Sequence, residues 1–437
     1  MAFRKIFTQH NNQKNCHTLA FYKKQGGYKQ AMKALKKWDP DDLIEEIKAS
    51  NLRGRGGAGF PTGVKWGFVP KKTKKTKYLV VNADESEPGT FKDRVIMEKN
   101  PHVLLEGILI CCKAVGIQSA YIYIRGEFVF ATQRLQHAID EAYKAGIFGD
   151  DCLGSGVKID VTIHRGAGAY ICGEETGMLT SLEGDRGQPK LKPPFPAVEG
   201  VFGCPTVVNN VETLGNLPYI LEIGAAAYRA IGPAKSPGPK LFCVSGHVEN
   251  PGTFELPMGV PLRTLIDKHA GGIWKGRKLK AVIPGGSSAH VLAAEECDVA
   301  MDIESLAAAG TMLGSAGVIV MDETTCMVDA LLNVMRFYHH ESCGQCTPCR
   351  EGTGWLEKIV HRIAHGEGRM EDLDLIVDVC DRMVGKTICA LADAAAFPAE
   401  SIVIKFKDDF VDAIQNGGSP AWKRRHPTAV GGAASHG

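Results

Sequence analysis

The chain has 437 residues, 44% hydrophobic and 23% charged, with a formal net charge of +2 at pH 7. Single cores stop growing at roughly 250–300 residues, so the length calls for several domains, while the near-neutral balance gives no sign of a nucleic-acid binder, and the run Lys71–Lys77 reads as a solvated loop. No apolar run reaches the roughly 18 residues of a membrane span, since Val103–Ile117 is broken by Glu106 and Lys113, so work at a membrane must go through partners. The 14 cysteines lack a disulfide framework's spacing and no secretory leader opens the chain, which indicates reduced thiols in a cytoplasmic compartment.

Residues 1–38 carry little signal beyond a helical pattern over Thr18–Leu35. Asp39-Pro40-Asp41-Asp42 starts a helix, because a capping Asp, a first-turn Pro and acids at the positive dipole end agree, and Leu43, Ile44 and Ile47 form its apolar face. The helix runs into Leu52–Gly63, the most glycine-dense stretch. Gly54, Gly56 and Gly59 match G-x-G-x-x-G letter by letter, yet the dinucleotide fingerprint needs a strand before its first glycine, and here a helix precedes it. What remains is either a merely flexible loop or one that lays backbone N–H groups against a phosphate or a flat ring, with Arg53, Arg55 and Lys65 adding positive charge.

Strands at Tyr78–Val81, Ala120–Ile124 and Val157–Ile163 alternate with helices at Pro101–Ile117 and Phe128–Ala145. This order predicts a right-handed βαβαβ unit with a parallel sheet, and ligands in such sheets bind beyond the carboxyl ends of the strands. Polar residues gather there, in Asn82–Gly89, Arg125–Glu127 and Arg165–Glu175. Acids at a nucleotide site suit ribose hydroxyls and repel phosphate, so one beside the adenosine ribose disfavours a 2′-phosphate. Glu85 reads equally well as a solvated loop residue, and Tyr170 as packing. The proline-rich segment 184–210 stiffens an extended crossing in which Phe195 can present a ring for stacking, and Asn209 and Asn210 offer carboxamides to a heterocycle edge.

Residues 240–322 predict a small α+β unit: a hairpin of Leu241–His247 and Thr253–Leu256, a helix at Pro261–His269, and strands near Lys280–Ile283 and Val318–Met321. From Thr324 the spacing predicts a four-helix bundle of Cys326–Tyr338, Gly352–Ala364, Glu371–Val384 and Ala392–Ile414, followed by a disordered tail over 417–437. Between its first two helices lie Cys343, Cys346 and Cys349, three apart, and only Cys380 and Cys389 follow. A C-x2-C-x2-C run with a distant fourth cysteine fits a [4Fe-4S] cluster better than zinc. Cys389, among small residues, is the better-placed fourth ligand. His339 and His340 have no vacancy to fill on a cysteine-ligated cluster. A cluster moves single electrons and a ribose-binding site suits a hydride donor, so a flavin is needed to convert between them.

The stretches Arg53–Gly63, Asn82–Arg94, Gly166–Glu175, Leu191–Pro196 and Glu341–Gly352 closely resemble the NADH-oxidising, FMN-binding subunits of respiratory complex I, the 51 kDa or F subunits. The resemblance covers nearly the whole chain. It implies a nucleotide-binding α/β domain with an N-terminal helical segment over 1–239, a ubiquitin-like β-grasp domain over 240–323 and a cluster-bearing helical bundle over 324–416. It implies that Gly54, Gly56, Gly57, Lys65, Asn82, Asp84, Tyr170, Glu174, Asn209, Asn210 and Thr213 hold FMN, with Arg55 and Gly173 beside them and Leu391 and Ala392 against the flavin. Phe60, Glu87, Glu175, Lys192 and Phe195 would hold NADH, Glu175 being the acid that disfavours NADPH. No side chain is implied as an essential acid or base. The implied partners are a thioredoxin-like [2Fe-2S] subunit and a large multi-cluster subunit, in a peripheral arm on the cytoplasmic face of the inner membrane, passing electrons toward quinone. The alternative is a diaphorase subunit of a soluble NAD-linked hydrogenase or formate dehydrogenase. Several of those carry added cluster domains, whereas here only Cys16 precedes residue 50 and no cysteine follows Cys389. A zinc-stapled scaffold would leave the glycine loop and the clustered acids unexplained.

Overall fold

A computed structural model describes residues 3–426. The expected N-terminal helix is two helices, α1 (Leu19–Lys24) and α2 (Lys29–Lys37), because Gly26 and Tyr28 adopt left-handed backbone and Gly27 lies under the Tyr22 ring. The buried carboxylate of Glu106 then starts α2, accepting from the Tyr28, Gln30 and Ala31 N–H groups and from the Tyr22 hydroxyl. Asp39 caps α3 (Pro40–Ser50) as expected, and α4 (Thr62–Gly67) follows the glycine loop.

The strands β1 (Tyr78–Ala83), β2 (Ser119–Ile124), β3 (Asp160–Arg165) and β4 (Thr206–Asn210) form a parallel sheet in the order β3-β2-β1-β4. β4 contains the Asn209-Asn210 pair read from sequence as part of a crossing segment. Its pairing with β1 puts Asn82 level with Asn210 and creates a reversal of strand order at β1, the place where α/β sheets open a crevice. The connections carry α5 (Asp93–Lys99), α6 (Pro101–Val115), α7 (Val129–Lys144) and α8 (Glu175–Leu182), and α9 (Val211–Gly215), α10 (Leu217–Ile223) and α11 (Ala225–Arg229) follow β4.

Alternation along β1 sends Leu79 and Val81 into one core and Val80 into another. The first core lies under α2, α3, α6 and α7. The second is shared with the rest of the chain.

A five-stranded sheet of order β6-β5-β9-β7-β8 follows, made of β5 (Pro239–Gly246), β6 (Gly252–Pro257), β7 (Leu279–Ile283), β8 (Leu292–Ala293) and β9 (Gly317–Asp322). β5 runs antiparallel to β6 and parallel to β9. α12 (Leu262–Thr264), continued by a π turn, covers one face, and α13 (Ile303–Ala308) precedes β9. Along β7, Val282 faces the local core while Ala281 and Ile283 join the second core. Glu255 on β6, itself buried, accepts from the N–H groups of Ile6, Phe7 and Thr8 and so ties the N-terminal segment across this unit.

The C-terminal helices α14 (Met327–Glu341), α15 (Thr347–Ala364), α16 (Glu371–Met383) and α17 (Leu391–Lys405) pack on one another and fill the second core. Two expectations need correction. The last long helix breaks at Phe406 into α17 and α18 (Lys407–Gln415), and the supposed tail begins with α19 (Pro420–Arg425), capped by Ser419, with Trp422 against His365. The expectation of disorder over 427–437 lies outside the described residues.

Candidate functional site

A cleft of about 400 Å³ opens at the carboxyl ends of β1 and β4, within the size range of small-molecule sites. One wall is the backbone of Gly56, Gly57 and Ala58. Gly57 sits at φ +139°, and a Cβ on Gly56 would come within 3.0 Å of the Asn210 side chain, so only glycine lets the loop lie here. Asn82 fixes the neighbouring turn, donating to the Gly173 carbonyl at 2.9 Å and accepting from the Asp84 N–H at 3.1 Å. Burial lifts the Asp84 carboxyl to about 7 against the Ser86 hydroxyl. Glu85 also lines the cleft, and its carboxylate starts α5 by accepting from the N–H groups of Lys92, Asp93 and Arg94.

The positive charge is not where the sequence suggested. Arg53 pairs with Glu304 at 3.1 Å, and the Arg55 guanidinium is buried against Pro237 O and the Tyr228 hydroxyl, away from the cleft. Lys65 reaches Val208 O and Glu175 instead. The cation that lines the cleft is Lys92, fully buried between Asp93 at 2.8 Å and Glu212 at 2.9 Å. Burial alone would lower its pKa, but Asp93 and Glu212 raise it, so it stays charged. Glu212 also holds Lys240 at 2.6 Å. Lys92 lies inside the Asn82–Arg94 stretch, where its charge next to Asp93 was the available signal.

Three further expected ligand residues stand one layer behind the cleft. Thr213 accepts the Arg55 N–H at 2.8 Å, Asn209 accepts the Trp66 indole N–H at 2.8 Å, and Ala392 is buried behind Leu391. They shape the loop and the strand end rather than the surface. Tyr170 and Glu87 do line the cleft, but they are bonded to each other at 2.6 Å, and Glu87 also accepts from the Ser288 N–H and hydroxyl, which latches the small sheet's loop onto the α/β unit.

Glu174, at the cleft, caps α8 through the Thr176 and Gly177 N–H groups and leads into a chain of charges: Lys192 lies 3.1 Å from Glu174 and 2.9 Å from Glu175, and Lys65 lies 3.5 Å from Glu175. Burial raises the Glu175 pKa, but the two lysines outweigh it and hold the carboxyl below its ordinary range. Phe60 and Phe195 present exposed rings, 44% and 58% accessible.

The cysteines meet on the far side of the same cleft. Cys343 and Cys346 are in the loop after α14, but Cys349 lies in the first turn of α15, because Thr347-Pro348 starts that helix inside the cysteine run. Burial raises the Cys349 thiol, with Cys343 and Cys346 adding to it, and burial pushes Cys389 up to about 11, with Cys349 and Cys343 contributing. Cys349 thus has Cys343, Cys346 and Cys389 around it, and the Ile388 N–H, next to Cys389, faces the Cys346 sulfur at 3.5 Å. Cys380 faces elsewhere, buried in the helical core, and His339 turns to Glu357. Among the described residues, no three His, Cys, Asp or Glu side chains gather tightly enough for a single metal ion. A four-iron cluster asks for a wider arrangement, each thiolate on its own iron. Cys389, Ala390 and Leu391 also line the cleft, so one segment serves both sites. Glu341, just before the cysteine loop, accepts the Tyr170 N–H at 2.9 Å and joins the two from the other side. It opens the Glu341–Gly352 stretch singled out in the sequence, which gave it no role.

The Nuo51 FMN-binding domain model matches residues 47–219, the SLBB domain model residues 240–320, and the model for the NADH-ubiquinone oxidoreductase-F iron-sulfur binding region residues 329–413. The second F subunit of the NADH-quinone oxidoreductase of Rhizobium meliloti is 56% identical over 399 residues, 91% of this chain and 95% of that one. The corresponding F subunit of Rickettsia bellii is 51% identical, covering 94% and 99% of the two chains. Among solved structures, the NAD+-reducing [NiFe]-hydrogenase in the H2-reduced state is similar with a TM-score of 0.82 and 34% identity, covering 94% of this chain and 67% of that one.

Proposed function

Because the chain belongs to the family of NADH-quinone oxidoreductase F subunits, we propose that its cleft is the FMN site, that the charges from Glu174 to Lys65 border the NADH site, and that Cys343, Cys346, Cys349 and Cys389 ligate the cluster. The protein is the NADH-oxidising flavoprotein of its assembly: FMN, when bound, would supply the conversion of a two-electron hydride from NADH into single electrons for a [4Fe-4S] cluster, on the way to quinone. We read its parts as an α/β domain over 1–239, a β-grasp domain over 240–323 and a four-helix bundle over 324–416.

The chain's own residues position and shield. The glycine loop would hold the phosphate through its N–H groups, with buried Lys92 lining the same cleft. Asn82 and Asp84 would border the flavin ring. Leu391, Ala394 and Phe397 exclude water from that wall. Glu175, kept ionised by Lys65 and Lys192, repels a 2′-phosphate, and the Tyr170–Glu87 latch holds the small sheet's loop at the rim. No side chain needs to give or take a proton in the hydride step.

The observation that carries this reading is the segment Cys389–Leu391, which lines the cleft with one end and supplies a thiol to the cysteine group with the other. Purified without oxygen, the chain should hold FMN and about four irons. Cys389→Ser should lose iron and keep FMN, while Cys380→Ser keeps both; the reverse pattern would reassign the fourth ligand.

As a subunit the protein works within an assembly. We assign its electron partners as a thioredoxin-like [2Fe-2S] subunit and a large multi-cluster subunit, on the cytoplasmic face of the inner membrane. Among the described residues no helix is long and apolar enough to cross a membrane, so contact with it would run through those partners. Identity of 56% with an F subunit against 34% with the hydrogenase chain puts the respiratory reading ahead of the diaphorase one.

A further inference from the structure

Ser342 ends α14 with its N–H bonded to Tyr338 O at 3.0 Å, and its hydroxyl oxygen lies 3.2 Å from the Cys349 sulfur. The same oxygen accepts the Gly344 N–H at 3.4 Å. A hydroxyl has one proton to give and two lone pairs. With a lone pair engaged by Gly344, and with a ligating thiolate having no proton of its own, the hydroxyl proton goes to the sulfur. Cys349 is only 6% exposed, so the bond acts away from water, where it is strongest. A second donor, the Ile388 N–H, faces the Cys346 sulfur at 3.5 Å. It belongs to the backbone, whereas the Ser342 donor is a side chain and can be removed alone.

We propose that Ser342 is a positioning residue that sets the cluster's reduction potential by donating its hydroxyl proton to the Cys349 sulfur. Accepting one electron adds one negative charge, part of it on the ligating sulfurs, and no proton moves, since the hydroxyl keeps its own. A donor aimed at sulfur stabilises the more negative state and raises the potential, as hydrogen bonds to cluster sulfurs do. The inference rests on the ligand assignment above. Cys349→Ser, expected to lose iron, tests that assignment separately.

The test is an EPR-monitored redox titration of the cluster in the holoenzyme. Ser342→Ala should shift the potential downward, by on the order of 59 mV if the oxidised-to-reduced ratio changes tenfold, with iron content unchanged. Ser342→Thr, which keeps the hydroxyl, should stay near wild type. An unshifted Ala variant, or equal shifts in Ala and Thr, overturns the proposal. Should Ser342→Ala lose iron, Ser342→Thr and Ser342→Val decide, being of one shape: a lower potential in Val supports the proposal, and equal potentials overturn it. Iron retained by Thr and lost by Val also overturns it, assigning the hydroxyl to cluster assembly.

Discussion

Asp84 and Glu175 are two acids at one site pushed in opposite directions. Burial lifts Asp84 from 3.8 to about 7. A folded-state pKa above the unfolded one means that the fold favours the neutral acid, so this contribution to stability is full below about 3.8 and is lost as pH rises through about 7. In the cofactor-free chain, Asp84→Asn should flatten the fall in melting temperature between about pH 4 and pH 8 and add on the order of 2–4 kcal/mol at the upper end. An unchanged slope would show that Asp84 does not titrate there. Glu175 is held ionised by Lys65 and Lys192. Glu175→Gln should shift the ratio of kcat/KM for NADPH to that for NADH upward by about tenfold or more, since like-charge juxtaposition costs at least ~1.4 kcal/mol. Equal ratios would remove Glu175 from cofactor choice. Both acids could be picked out in the sequence as members of polar runs beyond strand ends. What was hidden was the partner of each charge: that Arg55 turns inward and Lys92 into the cleft depends on Tyr228, Pro237, Glu212 and Asn210, all more than a hundred residues away.

Among the helices, α6 and α9 meet backbone to backbone. A Cβ on Gly107 would fall 2.1 Å from the Leu214 carbonyl oxygen, and backbone cannot give way as a flexible side chain can. Gly107→Ala should cost at least about 1–3 kcal/mol. Because α9 carries Thr213 and is capped by the Asn210 side chain, it should weaken FMN binding as well. A variant that melts and binds FMN like wild type would dissociate this helix contact from the site. Helices with a strong cap or a long apolar run were legible: Asp39 and the 3.6-residue spacing locate α3, and the apolar run alone locates α6. β4 was not, because five residues ending in two asparagines owe their strand form to pairing with β1, which no local window contains. The break between α1 and α2 was written in Gly26-Gly27, and the start of α15 in Thr347-Pro348, and both were read through.

At the scale of the molecule, the proposed domain limits at 239 and 323 follow the chain but not the packing. The second core joins Val80 of the first sheet, Ile283 of the second and Leu331, Leu356 and Ile402 of the helices, and Lys280 on β7 is bonded to Asp409 at 2.7 Å. Residues 1–323 alone should therefore melt lower than the full chain and fail to retain FMN, since Cys389–Phe397 form a wall of the cleft; a stable, flavin-binding fragment would restore three independent units. The same wall sets the order of events during synthesis. A chain emerges from the ribosome from its N-terminus and folds as its parts appear. β1 stays without one of its neighbours until residue 210 has emerged, Glu255 must appear before it can hold Ile6–Thr8, and that wall of the cleft is missing until residue 397. Flavin and iron can be enclosed only after residue 397 has emerged, so maturation of both sites waits for the helices that follow the second sheet.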